Sequence, residues 1–277
     1  MSGTTRARPR KSLGQHWLTD RDALRRIAAA ADFRPADTVI EVGPGTGLLT
    51  QLLAQRATNL IAVEVDHALA EQLRRRYAET PGVTVIEADV LETPVEEILN
   101  AGRGGLPYVV AGNLPYMIGT AIVRKFLRAA VRPRWLVVTL QLEVAERMTA
   151  VPGRMSYLSA EMQLFAEARI LFRLPPGAFQ PPPKVRSAVV RLDVRDSPDV
   201  EVDDVDAFLS LVQAGFAAPR KRLRNSLAIG LRLPAAIAER TLALAGVDPA
   251  LRPAALSLED WRKVYFAHRR RGREGAE

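Results

Sequence analysis

The sequence predicts an α/β fold: a doubly wound, mostly parallel sheet carrying one antiparallel strand pair, followed by a small all-helical domain. Three observations lead there. From Thr38 onward, short β-branched runs alternate with amphipathic segments, the signature of repeated βαβ units. Each run is apolar on both faces, as strands of a parallel sheet must be when helices cover both sides. After about Val194 the strand signals stop and helical spacing takes over.

Taken in order, "TVIEVG", "LIAVEVD", "VTVIEAD", "YVVAGN" and "WLVVTLQ" read as five buried parallel strands. Between them, "GLLTQLLAQ", "HALAEQLRRRYAE" and "GTAIVRKFLRAA" have helical periodicity. "EMQLFAEARILFRL" and "SAVVRLDV" flank the proline-rich "PPGAFQPPPKV" and read as the antiparallel pair with a long connection. Beyond "RDSPDVEVDD", helices are expected over Val205–Ala218, Lys221–Leu231, Pro234–Ala245 and Leu258–Arg269. A chain of 277 residues suits a large domain over 1–196 and a smaller one over 197–277. No internal repeat is visible.

Composition removes several classes of function. The chain has no cysteine, which excludes disulfides, thiolate catalysis and Cys-based zinc sites. Its three histidines, His16, His67 and His268, are far apart, so no metal site is expected. No apolar run is long enough to cross a bilayer. The amino terminus is basic and lacks an apolar segment, so it does not read as a secretory signal. A soluble cytoplasmic protein with no membrane partner is the expectation.

The charge is more informative. Lys and Arg total 39 against 31 acids, a net +8, and the sequence pI is near 10.3. The excess gathers in "RARPRK" (6–11), "RKRLR" (220–224) and "RRRGR" (269–273). Such clusters suit phosphate contacts, where each neutralised phosphate releases counterions. The two terminal clusters read equally well as solvated tails. The internal one, Arg220, Lys221, Arg222 and Arg224, is embedded in a helical segment and is harder to set aside.

"EVGPGTG", Glu41 to Gly47, closes the first strand and opens the first helix. Glycines there, including Gly43 and Gly45, permit tight turning and close approach of a ligand to the backbone. Such a turn is Rossmann-like, yet its spacing is not the G-x-G-x-x-G of dinucleotide enzymes. The next strand ends in Glu64, about 20 residues on, where a carboxylate can hold a ribose diol. The third ends in Asp89, able to accept from an adenine exocyclic amine. Each acid alone is as well explained as a helix cap. At successive tips of one sheet edge they point jointly to an adenosine-bearing cofactor. S-adenosylmethionine fits better than NAD, because its amino-acid end needs no pyrophosphate cradle.

The fourth strand delivers Asn113-Leu114-Pro115-Tyr116 to the same edge. An adenine N6 lone pair is delocalised into the ring, so the amine is planar and a poor nucleophile. Acceptors aimed at its two hydrogens favour a pyramidal nitrogen with a usable lone pair. The Asn113 side-chain oxygen and the Leu114 carbonyl can be those acceptors, with Pro115 stiffening the carbonyl. Tyr116 offers a face on which an extruded base can stack.

"NLPY" after "EVGPGTG", "VEVD" and "EADVLE" resembles the adenine-N6 dimethyltransferases of ribosomal RNA. "KSLGQHWLTD" (11–20) is similar to that family's amino-terminal motif, and "GAFQPPPKVRSAVVRL" (177–192) to a second one. "FAAPRKRLRNSL" (216–227) resembles a motif of the bacterial 16S ribosomal RNA small-subunit branch, and separates the chain from the erythromycin-resistance enzymes. The resemblance implies that His16 and Leu18 contact the cofactor and that Gly43 packs beside its amino-acid end. Glu64 takes the ribose, Asp89 the adenine amine, and Asn113 faces both cofactor and target. Phe179 corresponds to a second aromatic, expected to cover the target base or close its pocket. His16 and Trp17 stand where Asn-Phe is common, and Pro219 replaces a more usual residue.

The implied substrate is two adjacent adenosines in the 3′-terminal hairpin loop of 16S rRNA, in the immature small subunit, each methylated twice. Arg220, Lys221, Arg222 and Arg224 would grip RNA backbone beside the cleft, and a monomer is expected. Two other readings stay open: a related enzyme acting on large-subunit RNA, and a non-catalytic RNA-binding assembly factor of the same fold. A DNA adenine methyltransferase would more usually carry an acid at the Asn113 position.

Overall fold

In the computed structural model, which describes residues 16–274, the chain forms two units. The basic stretch at 6–11 and the part of the amino-terminal motif before His16 lie outside the described residues. One unit runs up to Ala145 and resumes over Glu167–Val194; the other takes Glu146–Ala166 and Arg195 onward. A single division at 196 therefore misses that Glu146–Ala166 groups with the later helices.

The first unit is built on a seven-stranded sheet. Its strands are β2 (Thr38–Val42), β3 (Asn59–Glu64), β4 (Val83–Glu87), β5 (Tyr108–Asn113), β6 (Trp135–Gln141), β7 (Ala166–Leu174) and β9 (Ser187–Val194). A separate pair joins β1 (Trp17–Leu18) to β8 (Phe179–Gln180). The sheet order is β4-β3-β2-β5-β6-β9-β7. β2 pairs in parallel with β3 on one side and β5 on the other. β9 runs antiparallel to β6, with Gln141 opposite Ser187. The order reverses between β2 and β5, and open sheets of this kind bind ligands outside the carboxyl ends at that point. β5 can lie close there because Gly112 has no side chain; a Cβ would come within 2.6 Å of the Val42 carbonyl oxygen.

Helices α1 (Arg21–Ala30), α2 (Leu48–Ala54), α3 (His67–Tyr77), α4 (Val95–Ala101) and α5 (Gly119–Arg128) connect these strands. Asp20 caps α1 through the Ala23 N–H, and Asp66 caps α3 through those of Ala68 and Leu69. The core packs α1 and α2 on the sheet through Leu24, Ile27, Leu49 and Leu53, with Val109, Val137 and Val189 among the strand contributions.

The predicted strand over "EMQLFAEARILFRL" is only partly a strand. α6 (Leu142–Met148) is followed by α7 (Tyr157–Phe165), which takes in "EMQLF", and β7 begins at Ala166. Ser156 starts α7: its hydroxyl accepts from the Ser159 N–H while the Ser159 hydroxyl accepts from the Ser156 N–H. Apart from Tyr157 and Gln163 the helix is buried all round, so it carries no amphipathic stripe and reads like a buried strand.

In the second unit, α8 (Val205–Gly215), α9 (Leu223–Leu231), α10 (Ala235–Leu244) and α11 (Leu258–Glu274) follow α7. Trp261, Tyr265 and Phe208 are buried at its centre, and the Tyr265 hydroxyl donates to Asp203 at 2.7 Å. No helix among the described residues is long and apolar enough to cross a membrane.

Candidate active site

The carboxyl tips of β2, β3, β4 and β5, together with β1, enclose a cavity of ≈ 310 Å³, in the size range of small-molecule sites. His16, Leu18, Gly43, Gly45, Glu64, Asp89, Asn113, Leu114, Pro115 and Tyr116 all line it. Four strand tips and an amino-terminal segment thus converge as their motifs predict.

The turn after β2 has Gly43 and Gly45 at φ +66° and +56°, a backbone region that L side chains avoid. A Cβ on Gly43 would reach Pro115 Cδ at 4.0 Å, so the glycine turn and the Asn-Leu-Pro-Tyr turn face each other. The Gly45 N–H donates to Glu64 Oε2 at 3.0 Å, and the Asp66 N–H donates to Oε1 at 3.0 Å. Burial pushes the Glu64 carboxyl above the usual range, and these two donors pull it part of the way back. Each carboxylate oxygen keeps a lone pair beyond its backbone bond, enough to accept both hydroxyls of a ribose. Asp89 is exposed, and its Oδ1 accepts from the Leu91 N–H at 2.8 Å.

Asn113 closes β5. Its Nδ2 donates to the His16 carbonyl at 2.9 Å, which sets the orientation of the amide. Its Oδ1 is buried with no partner. A buried acceptor left unsatisfied is costly, and here it belongs to a residue that lines the cavity. Tyr116 bonds through its hydroxyl to Ser187 Oγ, and its ring stacks with that of His16, centroids 5.4 Å apart at 25°. Burial pushes the Tyr116 phenol up, so it stays neutral. His16 is held in turn by a 2.8 Å contact from Nδ1 to the Pro181 carbonyl.

Phe179 is placed differently from expectation. It pairs with Leu18 in the β1–β8 ladder and is buried in the hydrophobic core, off the cavity wall. As it stands the ring supports the strand carrying Trp17 and Leu18 and presents no face to a ligand. Arg220, Lys221 and Arg222 lie exposed between α8 and α9, with no acidic partner among the described residues. Arg224 differs: its Nη1 pairs with Glu239 at 3.2 Å, a bond that ties α9 to α10.

Sequence reasoning assigned no site role to Trp17, Val65, Val90 or Glu41, all of which line the cavity. Trp17 lies over Gly45, its indole edge 3.3 Å from where a Cβ would sit. The signal for these residues was adjacency: each sits next to, or two residues from, an assigned anchor. Glu41 is fully buried, and desolvation pushes its carboxyl up to about 8.

A mostly parallel sheet with this glycine turn, two acids and an Asn-Leu-Pro-Tyr tip defines a Rossmann-like methyltransferase. The orphaned Asn113 oxygen, the left-handed glycines and the diol-ready Glu64 fit an S-adenosylmethionine-type donor. The family model for ribosomal RNA adenine dimethylase matches residues 6–264. The chain belongs to that family. It is 42% identical over 265 residues to Ribosomal RNA small subunit methyltransferase A of Dehalococcoides mccartyi, covering 95% of this chain and 89% of that protein. The protein of the same name from Alkaliphilus oremlandii is 40% identical over 254 residues, covering 91% and 88%. Among solved structures, 23S rRNA methyltransferase ErmE is 32% identical with a TM-score of 0.71, covering 91% of this chain and 98% of that one. A dimethyladenosine transferase from Plasmodium falciparum, 24% identical, matches in fold with a TM-score of 0.77, covering 93% and 98%.

Proposed function

We propose that the protein methylates the N6 amines of two adjacent adenosines in the 3′-terminal hairpin loop of 16S rRNA. The substrate is the immature small ribosomal subunit in the cytoplasm, each adenosine is methylated twice, and the enzyme acts as a monomer. S-adenosylmethionine, when bound, supplies a methyl group made electrophilic by its sulfonium charge.

The chain's own residues do the rest. Glu64 takes the ribose hydroxyls and Asp89 the adenine amine of the cofactor. Leu18 and the turn at Gly43 and Gly45 pack against it, and His16 holds the Asn113 amide through its carbonyl. Asn113 Oδ1 and the Leu114 carbonyl accept from the target amine and localise its lone pair. After the first transfer one N6 hydrogen remains, and the Asn113 oxygen can still accept it. Tyr116 stacks on the extruded adenine, since unpaired loop bases are splayed out at low cost. No strong general base is required, because an alkylated amine is cationic and gives up its proton readily. Arg220, Lys221 and Arg222 contact RNA phosphates.

The observation that carries the reading is Asn113, a residue of the cavity lining whose amide is pinned by His16 and whose buried oxygen has no partner. The choice of the small subunit rests on the small-subunit relatives at 40–42% identity, against 32% for the 23S enzyme. The test is mass spectrometry of nucleosides from unmethylated small and large subunits after incubation with the protein and S-adenosylmethionine. N6,N6-dimethyladenosine from small subunits alone is the expected result. Methylation of large subunits only, or of neither, overturns it.

A further inference from the structure

Beside the cavity mouth, the first unit carries a surface that the chemistry above does not use. The segment entering β9 presents Lys184, Val185 and Arg186, all exposed. Neither cation has an acidic partner among the described residues. Their placement is not arbitrary. Arg186 accepts through its carbonyl from the Leu142 N–H at 2.9 Å, and the next residue, Ser187, bonds to the Tyr116 hydroxyl. The two cations are thus anchored one and three residues from the group that holds the proposed base-stacking ring.

On the other side of that ring in sequence stands Met117, 79% exposed. A tight turn fixes its backbone, with the Ile118 and Gly119 N–H groups both donating to the Pro115 carbonyl. Nine large hydrophobic side chains are exposed among the described residues, and three of them, Val65, Met117 and Val185, belong to segments at this one sheet edge. Single exposed aliphatics need no explanation. A concentration beside an active site, interleaved with unpaired cations, is the composition that takes a nucleic-acid strand: phosphates on the cations, bases against the apolar groups.

We propose that Lys184, Arg186 and Met117 form a strand-gripping rim. Lys184 and Arg186 take the phosphates flanking the target adenosine. Met117 fills the stacking position that the extruded adenine leaves, as apolar wedges do at unstacked base steps. The proposal rests on the RNA-methylating reading above and adds residues that reading does not assign.

The test uses the full chain and a hairpin RNA with 2-aminopurine at one target adenosine, whose fluorescence rises on extrusion. Lys184→Ala/Arg186→Ala is expected to lower the slope of log affinity against log salt by about 1.4, two phosphates at roughly 0.7 each. Met117→Ala is expected to cut the extruded fraction by roughly two- to tenfold, the range of a thioether–ring contact, and Met117→Leu to restore most of it. S-adenosylhomocysteine affinity should stay at the wild-type value in all three, which confirms that they fold. An unchanged slope in the double variant, or an unchanged extrusion signal in Met117→Ala, overturns the rim. A wild-type protein that methylates the all-adenosine hairpin while the variants behave like it removes the rim alone. A wild-type protein that leaves the hairpin and the small subunit unmethylated removes the function and the rim together.

Discussion

The Asn113 Nδ2 donates to the carbonyl of His16, 97 residues away in sequence, at 2.9 Å, and the same amide leaves its oxygen buried without a partner. In the proposed reaction the donor end is the clamp and the acceptor end is the tool. Removing a preorganised group of this kind typically costs on the order of 10²–10³ in rate. Asn113→Ala should therefore lower single-turnover methyl transfer by about that factor while S-adenosylhomocysteine still binds by calorimetry. Undiminished transfer would remove Asn113 from the chemistry.

Glu64 joins two backbone turns. Both of its oxygens accept a backbone N–H, one from Gly45 and one from Asp66. In Glu64→Gln one of those N–H groups must face an amide NH₂, and an unsatisfied buried donor costs about 1–3 kcal/mol. The variant should unfold at lower temperature and bind S-adenosylhomocysteine at least tenfold more weakly. Wild-type affinity in Glu64→Gln would show that the carboxylate does not hold the ribose.

Glu64 and Asn113 are legible because each closes a β-branched run. "YVVAGN" and "WLVVTLQ" match β5 and β6 end for end, and the residue where the run stops is the residue at the sheet edge. What could not be read depends on distant partners. β1 and β8 are two residues each and exist only because Trp17 and Leu18 meet Gln180 and Phe179 across some 160 positions. Phe179 beside prolines has the same local pattern whether it faces a ligand or the core, and only that pairing decides. α7 was misread because burial on nearly every side erased its period, and its cap closes with Ser159 where a glutamate is the usual mark.

Tyr116 separates stacking from hydrogen bonding. Tyr116→Phe loses the bond to Ser187 but keeps the ring face, and should retain transfer within about tenfold, one lost hydrogen bond. Tyr116→Ala loses the face as well. Stacking on an aromatic contributes about 1–3 kcal/mol per base, so KM for the RNA should rise roughly five- to 150-fold. Equal kinetics for the two variants would show that the ring is not the platform.

The basic segment Arg220–Arg224 divides in two by its contacts. Arg220, Lys221 and Arg222 are exposed and unpaired among the described residues, whereas Arg224 is engaged with Glu239. Replacing the first three by Ala should weaken RNA binding, lower its salt slope by about 2 and leave cofactor affinity intact. Arg224→Ala should leave the slope alone and cost no more than about 1 kcal/mol of stability, the size of a partly exposed pair. A salt slope that falls only in Arg224→Ala would reverse the assignment.

Glu41 makes stability depend on pH. Its carboxyl is fully buried on the cavity wall, Oε2 has no partner, and desolvation raises its pKa from 4.5 to about 8. Between those values the folded protein keeps the proton and the unfolded chain has lost it, so the folded state binds more protons. Stability from this group is complete below about pH 4.5 and declines as pH rises toward 8. At 1.36 kcal/mol per pKa unit, the decline from pH 5 to pH 8 is roughly 3–4 kcal/mol. Glu41→Gln is neutral throughout and should lack this slope. Urea unfolding of both proteins at pH 5, 6.5 and 8 gives the comparison: the variant should gain on the wild type at each step. Parallel stability curves would mean that Glu41 titrates alike in the folded and the unfolded chain.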